Sequence, residues 1–296
     1  MTRQLLFGGI AAMATFMALT PPLQAALVLD DFNYGNDSQA MNAIASPGGS
    51  GWTGKWGATT GTSTGKMFID RDANLTYSGG GYAITQSGVG RAYGVYTAFR
   101  GINRYIDINL TGEIWFSVLL QTVTSSPVSH AGLQFNAHAD APYSGNDYDI
   151  GKWHVELVAN SLQVRYNGVN YPNLATLTLG QTHLIVGRLV VGAGNDTMEV
   201  WADPADLTNL GTPLFSASSA DMGNAVYLGG VFAYGEGGTE TTRGYIDALR
   251  ISDGGGNAAQ AFYDATGVVA IPEPSVAAMA AAGLAWVMMR GRRRVR

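Results

Sequence analysis

Thr182-His183-Leu184-Ile185-Val186-Gly187-Arg188-Leu189-Val190-Val191 is followed by Gly192-Ala193-Gly194-Asn195-Asp196 and then by Thr197-Met198-Glu199-Val200-Trp201. Two apolar, β-branched runs joined by a short Gly/Asn/Asp segment predict a β-hairpin, because those turn residues accept the backbone angles that reverse a strand. In the second run Met198 and Val200 fall on one face, Glu199 and Trp201 on the other. One of those faces meets a core.

Runs of the same kind recur outward from this hairpin, separated by Gly, Asn, Asp and Ser clusters. They predict strands at 26–32, 66–70, 82–86, 92–98, 113–121, 130–136, 153–158, 162–167, 226–233 and 244–251, beside the two of the hairpin at 182–191 and 197–202. Asn167-Gly168 marks a further tight turn. No repeat of fixed period is visible, which speaks against a solenoid or propeller, and no helix of consequence is needed. The expected fold class is therefore all-β, one large sandwich or jelly roll over 26–255, followed by a linker at 256–270. Cysteine is absent, so disulfides, thiolate metal sites and a cysteine nucleophile are excluded, and the core alone must hold the domain.

The two ends carry a different message. Arg3 precedes an uncharged stretch from Leu5 to Leu19, then Pro21-Pro22-Leu23-Gln24-Ala25-Ala26. A basic start, an apolar core and small residues predict a secretory signal peptide over 1–25, cleaved after Ala25 or Ala26. At the other end Pro272-Glu273-Pro274 precedes the uncharged stretch Val276 to Met289 and then Arg290, Arg292, Arg293, Arg294 and Arg296. That apolar stretch is fourteen residues, shorter than the roughly twenty of a full span. It reads as a transient hydrophobic helix held by a basic membrane stop, since arginine is costly to move across a bilayer.

The order Pro-Glu-Pro, hydrophobic helix, basic tail over 271–296 resembles the PEP-CTERM sorting signal. The resemblance implies recognition of Pro272, Glu273 and Pro274 by an exosortase-type processing enzyme and a brief stay in the inner membrane. Delivery to the cell surface or exopolysaccharide matrix of a Gram-negative bacterium would follow. The body, through Asp30-Asp31-Phe32-Asn33-Tyr34, Gly51-Trp52-Thr53-Gly54-Lys55-Trp56, the hairpin and Gly244-Tyr245-Ile246-Asp247-Ala248-Leu249-Arg250-Ile251, resembles the laminin-G/concanavalin-like jelly-roll sandwiches. That fold hosts several functions and does not select one.

Arg3 and the five C-terminal arginines are six of seventeen basic residues. Without both ends, eleven basic residues face twenty-two acidic ones, or twenty-one if Glu273 is also removed. Such a charge opposes nucleic-acid phosphates and favours cations, so no nucleic-acid partner is expected. Calcium is the one cofactor considered, as a structural ion held by Asp31 and Asp247, or by the Asp/Asn-rich loop at 138–149.

Glycosidase chemistry needs two carboxylates flanking one bond, and Glu-x-Asp-x-x-Glu is missing. Glu113 and Glu156 each stand alone on their strands and read as solvent-face residues, although a pair from distant strands such as Glu156 with Glu199 stays open. His130, His138, His154 and His183 are read as strand or loop residues. No catalytic residue is assigned and the chain is read as not an enzyme. Trp52 and Trp56 are the candidate glycan-stacking residues, weighed against a packing role; Tyr143, Tyr148 and Tyr171 share loop-like contexts. The expected function is a non-catalytic, structural or adhesive protein of the surface or exopolysaccharide matrix. The alternative is a lectin-like carbohydrate-binding module, with a polysaccharide hydrolase or lyase behind both.

Overall fold

Period-two alternation gives each strand one apolar face, and two sheets stacked on those faces bury them together. The computed structural model describes residues 27–58, 67–86, 88–94, 101–136, 153–221, 223–235 and 242–268. The expected signal peptide, the Pro272 to Pro274 motif, the hydrophobic stretch, Arg290, Arg292, Arg293 and Arg294 lie outside these residues, as do His138 and the 138–149 loop. Among the described residues, no helix is long and apolar enough to cross a membrane.

In chain order the strands are β1 (Leu27–Asp30), β2 (Trp52–Ala58), β3 (Met67–Asp70), β4 (Arg91–Gly94) and β5 (Gly101–Leu110). Next come β6 (Gly112–Thr122), β7 (Ser129–Asn136), β8 (Trp153–Val158), β9 (Ser161–Tyr166) and β10 (Val169–Thr176). The last are β11 (His183–Val191), β12 (Asp196–Ala202), β13 (Phe215–Ala220), β14 (Val226–Gly235) and β15 (Gly244–Ser252), followed by helix α1 (Ala258–Thr266). An eight-stranded sheet runs β13-β12-β11-β6-β15-β4-β3 with β1 beside β15, and a seven-stranded sheet runs β10-β9-β8-β7-β14-β5-β2.

The hairpin forms as expected, with Val190 opposite Thr197 and Ile185 opposite Ala202. Met198 and Val200 enter the core between the sheets, while Trp201 packs on the opposite face. Phe116 of β6 and Phe135 of β7 meet across the core at 4.9 Å between ring centroids. Gly187 lies opposite Phe116 in the register, and a side chain there would collide with that ring. A β-bulge between Asp247 and Arg250, with Ala248 at φ 49°, lets β15 change partner. Gly244 to Ile246 pair with β4, and Leu249 to Ser252 pair with β1.

The outer face of the eight-stranded sheet is closed by the chain itself. Trp115, Leu119, Leu184, Val186, Trp201 and Ala248 form a second apolar cluster with Leu75, Leu207 and the buried face of α1. Phe262 meets Trp115 edge-on at 4.9 Å, and Trp115 stacks on Trp201 at 5.8 Å. Asn257 caps α1 by accepting from Ala259 and Gln260, and Gly267 ends it at φ 72°. This helix occupies the stretch expected as a linker, so that stretch packs as part of the body. The strand expected at 82–86 does not form; there the Ala83 N–H donates to the Thr266 carbonyl.

Candidate acid–base site on the seven-stranded sheet

Strands β7, β8 and β9 send Ala131, Leu133, Phe135, Trp153, Val155, Leu157, Leu162, Val164 and Tyr166 into the core. Alternation then forces His130, Gln134, His154, Glu156, Gln163 and Arg165 onto the outward face. The register aligns Gln134, His154 and Arg165 in one row and Gly132, Glu156 and Gln163 in the next. Gly132 contributes no side chain beside Glu156 in that row.

Glu156 Oε2 lies 3.6 Å from His130 Nδ1 and 3.9 Å from His154 Nε2. On a sheet face turned away from the core these groups are nevertheless nearly sealed, with His130 at 7%, Gln134 at 2%, His154 at 1% and Glu156 at 3% exposure. Burial lowers the pKa of His154, the Glu156 carboxylate opposes that shift, and Arg165 and His130 reinforce it. A neutral imidazole beside a carboxylate, flanked by a second imidazole and a guanidinium, is an arrangement suited to proton transfer. This corrects the reading of Glu156 as a solvent-face residue, while His154 lies on a strand as expected. The available signal was the spacing His154-x-Glu156, which puts both on one face of one strand.

The other candidates resolve differently. Glu199 lies on the opposite sheet from Glu156, where Arg188 bonds it at 3.0 Å and Glu113 at 2.8 Å. Glu156 and Glu199 therefore do not form a pair. His183 engages both ring nitrogens, Nδ1 with Asp203 at 2.6 Å and Nε2 with the Thr178 carbonyl at 2.9 Å. Burial opposes its protonation, but these two partners outweigh burial and raise its pKa.

Trp56 is fully buried and Trp52 is 9% exposed. Their rings lie 5.3 Å apart, Trp56 Nε1 donates to Tyr34 Oη at 2.7 Å, and Trp52 Nε1 donates to the Leu29 carbonyl at 3.1 Å. The structure gives them packing roles in place of a stacking platform. Beside them Asp30 accepts from the Phe32 amide at 2.8 Å and the Tyr34 hydroxyl at 3.2 Å, with Arg104 at 3.8 Å. Burial pushes its carboxyl up to about 7. Tyr171 packs on Phe215 at 4.9 Å.

Asp31 accepts from Arg250 at 2.5 Å, so a guanidinium supplies the cation beside it. Asp247 accepts from the Leu75 amide at 2.8 Å and the Ala248 amide at 2.7 Å. Burial pushes the Asp247 carboxyl up to about 8. A different group, Asp37, Asp70 and Asp72, places carboxylate oxygens within 4.8 Å of one another and could hold a metal ion; Asp70 also pairs with Arg91 at 2.8 Å.

No protein-family model matches the chain, and no curated protein does. Among solved structures it is similar to the endo-β-1,4-glucuronan lyase of the fungus Trichoderma reesei, at 15% identity and a TM-score of 0.45 over 68% of this chain and 91% of that one. It is also similar to the Bacillus licheniformis β-glucanase, at 11% identity and a TM-score of 0.39 over 77% and 96%. The third is lectin II from Ulex europaeus, at 11% and 0.35 over 63% and 92%. Enzymes thus stand beside a lectin in this set. The expectation that the chain is not an enzyme is accordingly withdrawn, because a likeness shared with both gives no ground for excluding catalysis.

Proposed function

We propose that this chain is an exported carbohydrate-active domain of the concanavalin-like type that engages a polysaccharide across the outward face of the seven-stranded sheet. On this reading His130, His154 and Glu156 act as its acid–base group. The observation that carries the reading is one buried carboxylate with an imidazole on either side at 3.6 and 3.9 Å. The opposite sheet already spends its outer face on α1 and the second apolar cluster. Amides, imidazoles and a guanidinium along neighbouring strands suit a hydroxyl-rich, extended ligand.

Export supports the same reading, since the two ends resemble a secretion signal and a PEP-CTERM tail. They imply an exosortase partner and a surface where polysaccharide is at hand. Mass spectrometry of surface material tests this part; an intact Arg296 in the extracellular fraction removes it. For the site, the purified mature protein is run in affinity gels containing a panel of polysaccharides and assayed for new reducing ends. Retardation with release of ends, lost in Glu156→Gln, is expected. Retardation without ends leaves recognition and removes chemistry, and the absence of both retardation and new ends removes the reading.

A further inference from the structure

We infer that protonated His183 clasps the loops on either side of it, that through Asp203 it fastens the segment 71–86 over the outer face of the eight-stranded sheet, and that this clasp loosens as pH rises. The segment contains neither strand nor helix. It nevertheless covers part of that face, with Leu75 buried in the second apolar cluster and Tyr77 and Tyr82 packed against it. Scattered hydrogen bonds hold it in place of a ladder. The Leu75 amide donates to Asp247 at 2.8 Å, the Ala83 amide to the Thr266 carbonyl at 3.3 Å, and the Leu207 amide to the Gly80 carbonyl at 2.8 Å. Segments tied in this way open before the sheet beneath them does.

Asp203 is the centre of the clasp. It directly follows β12 in the left-handed region, at φ 46°, and its amide donates to the Leu184 carbonyl at 2.8 Å. One carboxylate oxygen accepts from the Leu184 amide at 2.9 Å and the other lies 2.6 Å from His183 Nδ1. The Tyr77 hydroxyl hydrogen-bonds to the same carboxylate. Burial, and after it the Asp203 charge, push that hydroxyl up to about 12, so Tyr77 stays a donor where His183 titrates.

The proton count follows from the partners of His183. Its Nε2 lies 2.9 Å from the Thr178 carbonyl, which accepts and has no proton to give, and an ionised carboxylate likewise only accepts. A neutral imidazole carries one N–H, serves one of these partners and turns a lone pair towards the other. The imidazolium satisfies both. Burial opposes the charge, but the two bonds outweigh it and raise His183 above 6.5. Asp203 is the charged group that faces the ring, β6 sets Leu120 opposite it, and Tyr77 reaches it through Asp203. Loss of the proton gives up one bond and turns the other from charge-assisted to neutral, about half as strong. The Asp203 loop is then held less firmly, and so is the segment that hangs on it through Tyr77 and Gly80. The contribution is complete below about pH 6.5 and is lost as pH rises through the raised value.

The test is hydrogen exchange, read by mass spectrometry over the segment 71–86 and the loop 203–208, in the purified protein, His183→Gln and Tyr77→Phe. Each variant is compared with the parent at the same pH, so that the intrinsic chemistry of exchange cancels. At about pH 5.5 both stretches should exchange roughly threefold to tenfold faster in His183→Gln, and at about pH 9 the difference should vanish. Tyr77→Phe should speed exchange of the segment alike at both pH values. By NMR, the His183 imidazole should titrate with a midpoint above 6.5, and that midpoint should fall in Asp203→Asn.

An exchange difference of equal size at both pH values in His183→Gln would overturn the proton dependence and leave a purely structural histidine. Unchanged exchange of the segment in both variants would overturn the fastening. Should His183→Gln fail to fold, the unaltered protein still decides, since no midpoint above 6.5 among its four imidazoles contradicts the inference.

Discussion

Glu156 Oε2 lies 3.9 Å from His154 Nε2 on the same face of one strand, so the carboxylate rides on the same rigid element as the imidazole whose proton affinity it raises. Burial nevertheless holds His154 below the ordinary histidine value of 6.5. The acid limb of kcat/KM against pH should therefore have its midpoint below 6.5. In whatever activity survives in Glu156→Gln, that limb should shift further towards acid, because the group favouring protonation is gone. An unmoved limb would disconnect the two residues.

The tryptophans give a stability prediction. Trp56→Ala removes a fully buried indole and the donor to Tyr34, so unfolding in denaturant should show a loss of about 3–5 kcal/mol. Gel retardation by polysaccharide, measured where the variant is still folded, should not change. Lost retardation with unchanged stability would restore the stacking role.

Asp247 gives a prediction about pH. Its folded-state carboxyl is pushed from 3.8 up to about 8, so the folded state binds the proton more tightly than the unfolded chain. Its contribution to stability is complete below about pH 4 and is lost as pH rises through about 8. Asp247→Asn should therefore be least stable relative to the parent near pH 4 to 5, with the deficit shrinking towards pH 8. Melting temperatures of the two proteins across that range check the sign; a deficit that grows with pH contradicts it.

Gly244 ties one sheet to the site on the other. A side chain there would strike the backbone carbonyl of His130, which cannot yield without moving the start of β7. Gly244→Ala should cut activity by at least about tenfold although it touches no ligand. Unchanged activity in a correctly folded variant would show that His130 tolerates the shift.

Much of the fold was legible because strands such as β8, β11 and β12 alternate cleanly. The missed strands each broke the pattern for a physical reason. Arg104 occupies an inward position in β5, glycines dilute β2, Pro172 interrupts β10, and β13 is mostly Ser and Ala. Helix α1 announced itself through Asn257 and Gly267 but is only nine residues long. For the site, His154-x-Glu156 was visible as a same-face pair. The approach of His130 depends on the β7–β8 register, which no local spacing encodes.

The first described strand, β1, and the last element, α1, both belong to the eight-stranded side of the molecule. A domain held at either end by a membrane or a matrix would thus be fastened by its back. The side of the seven-stranded sheet would then be turned to the medium while the protein stays attached, with no need for the domain to turn over.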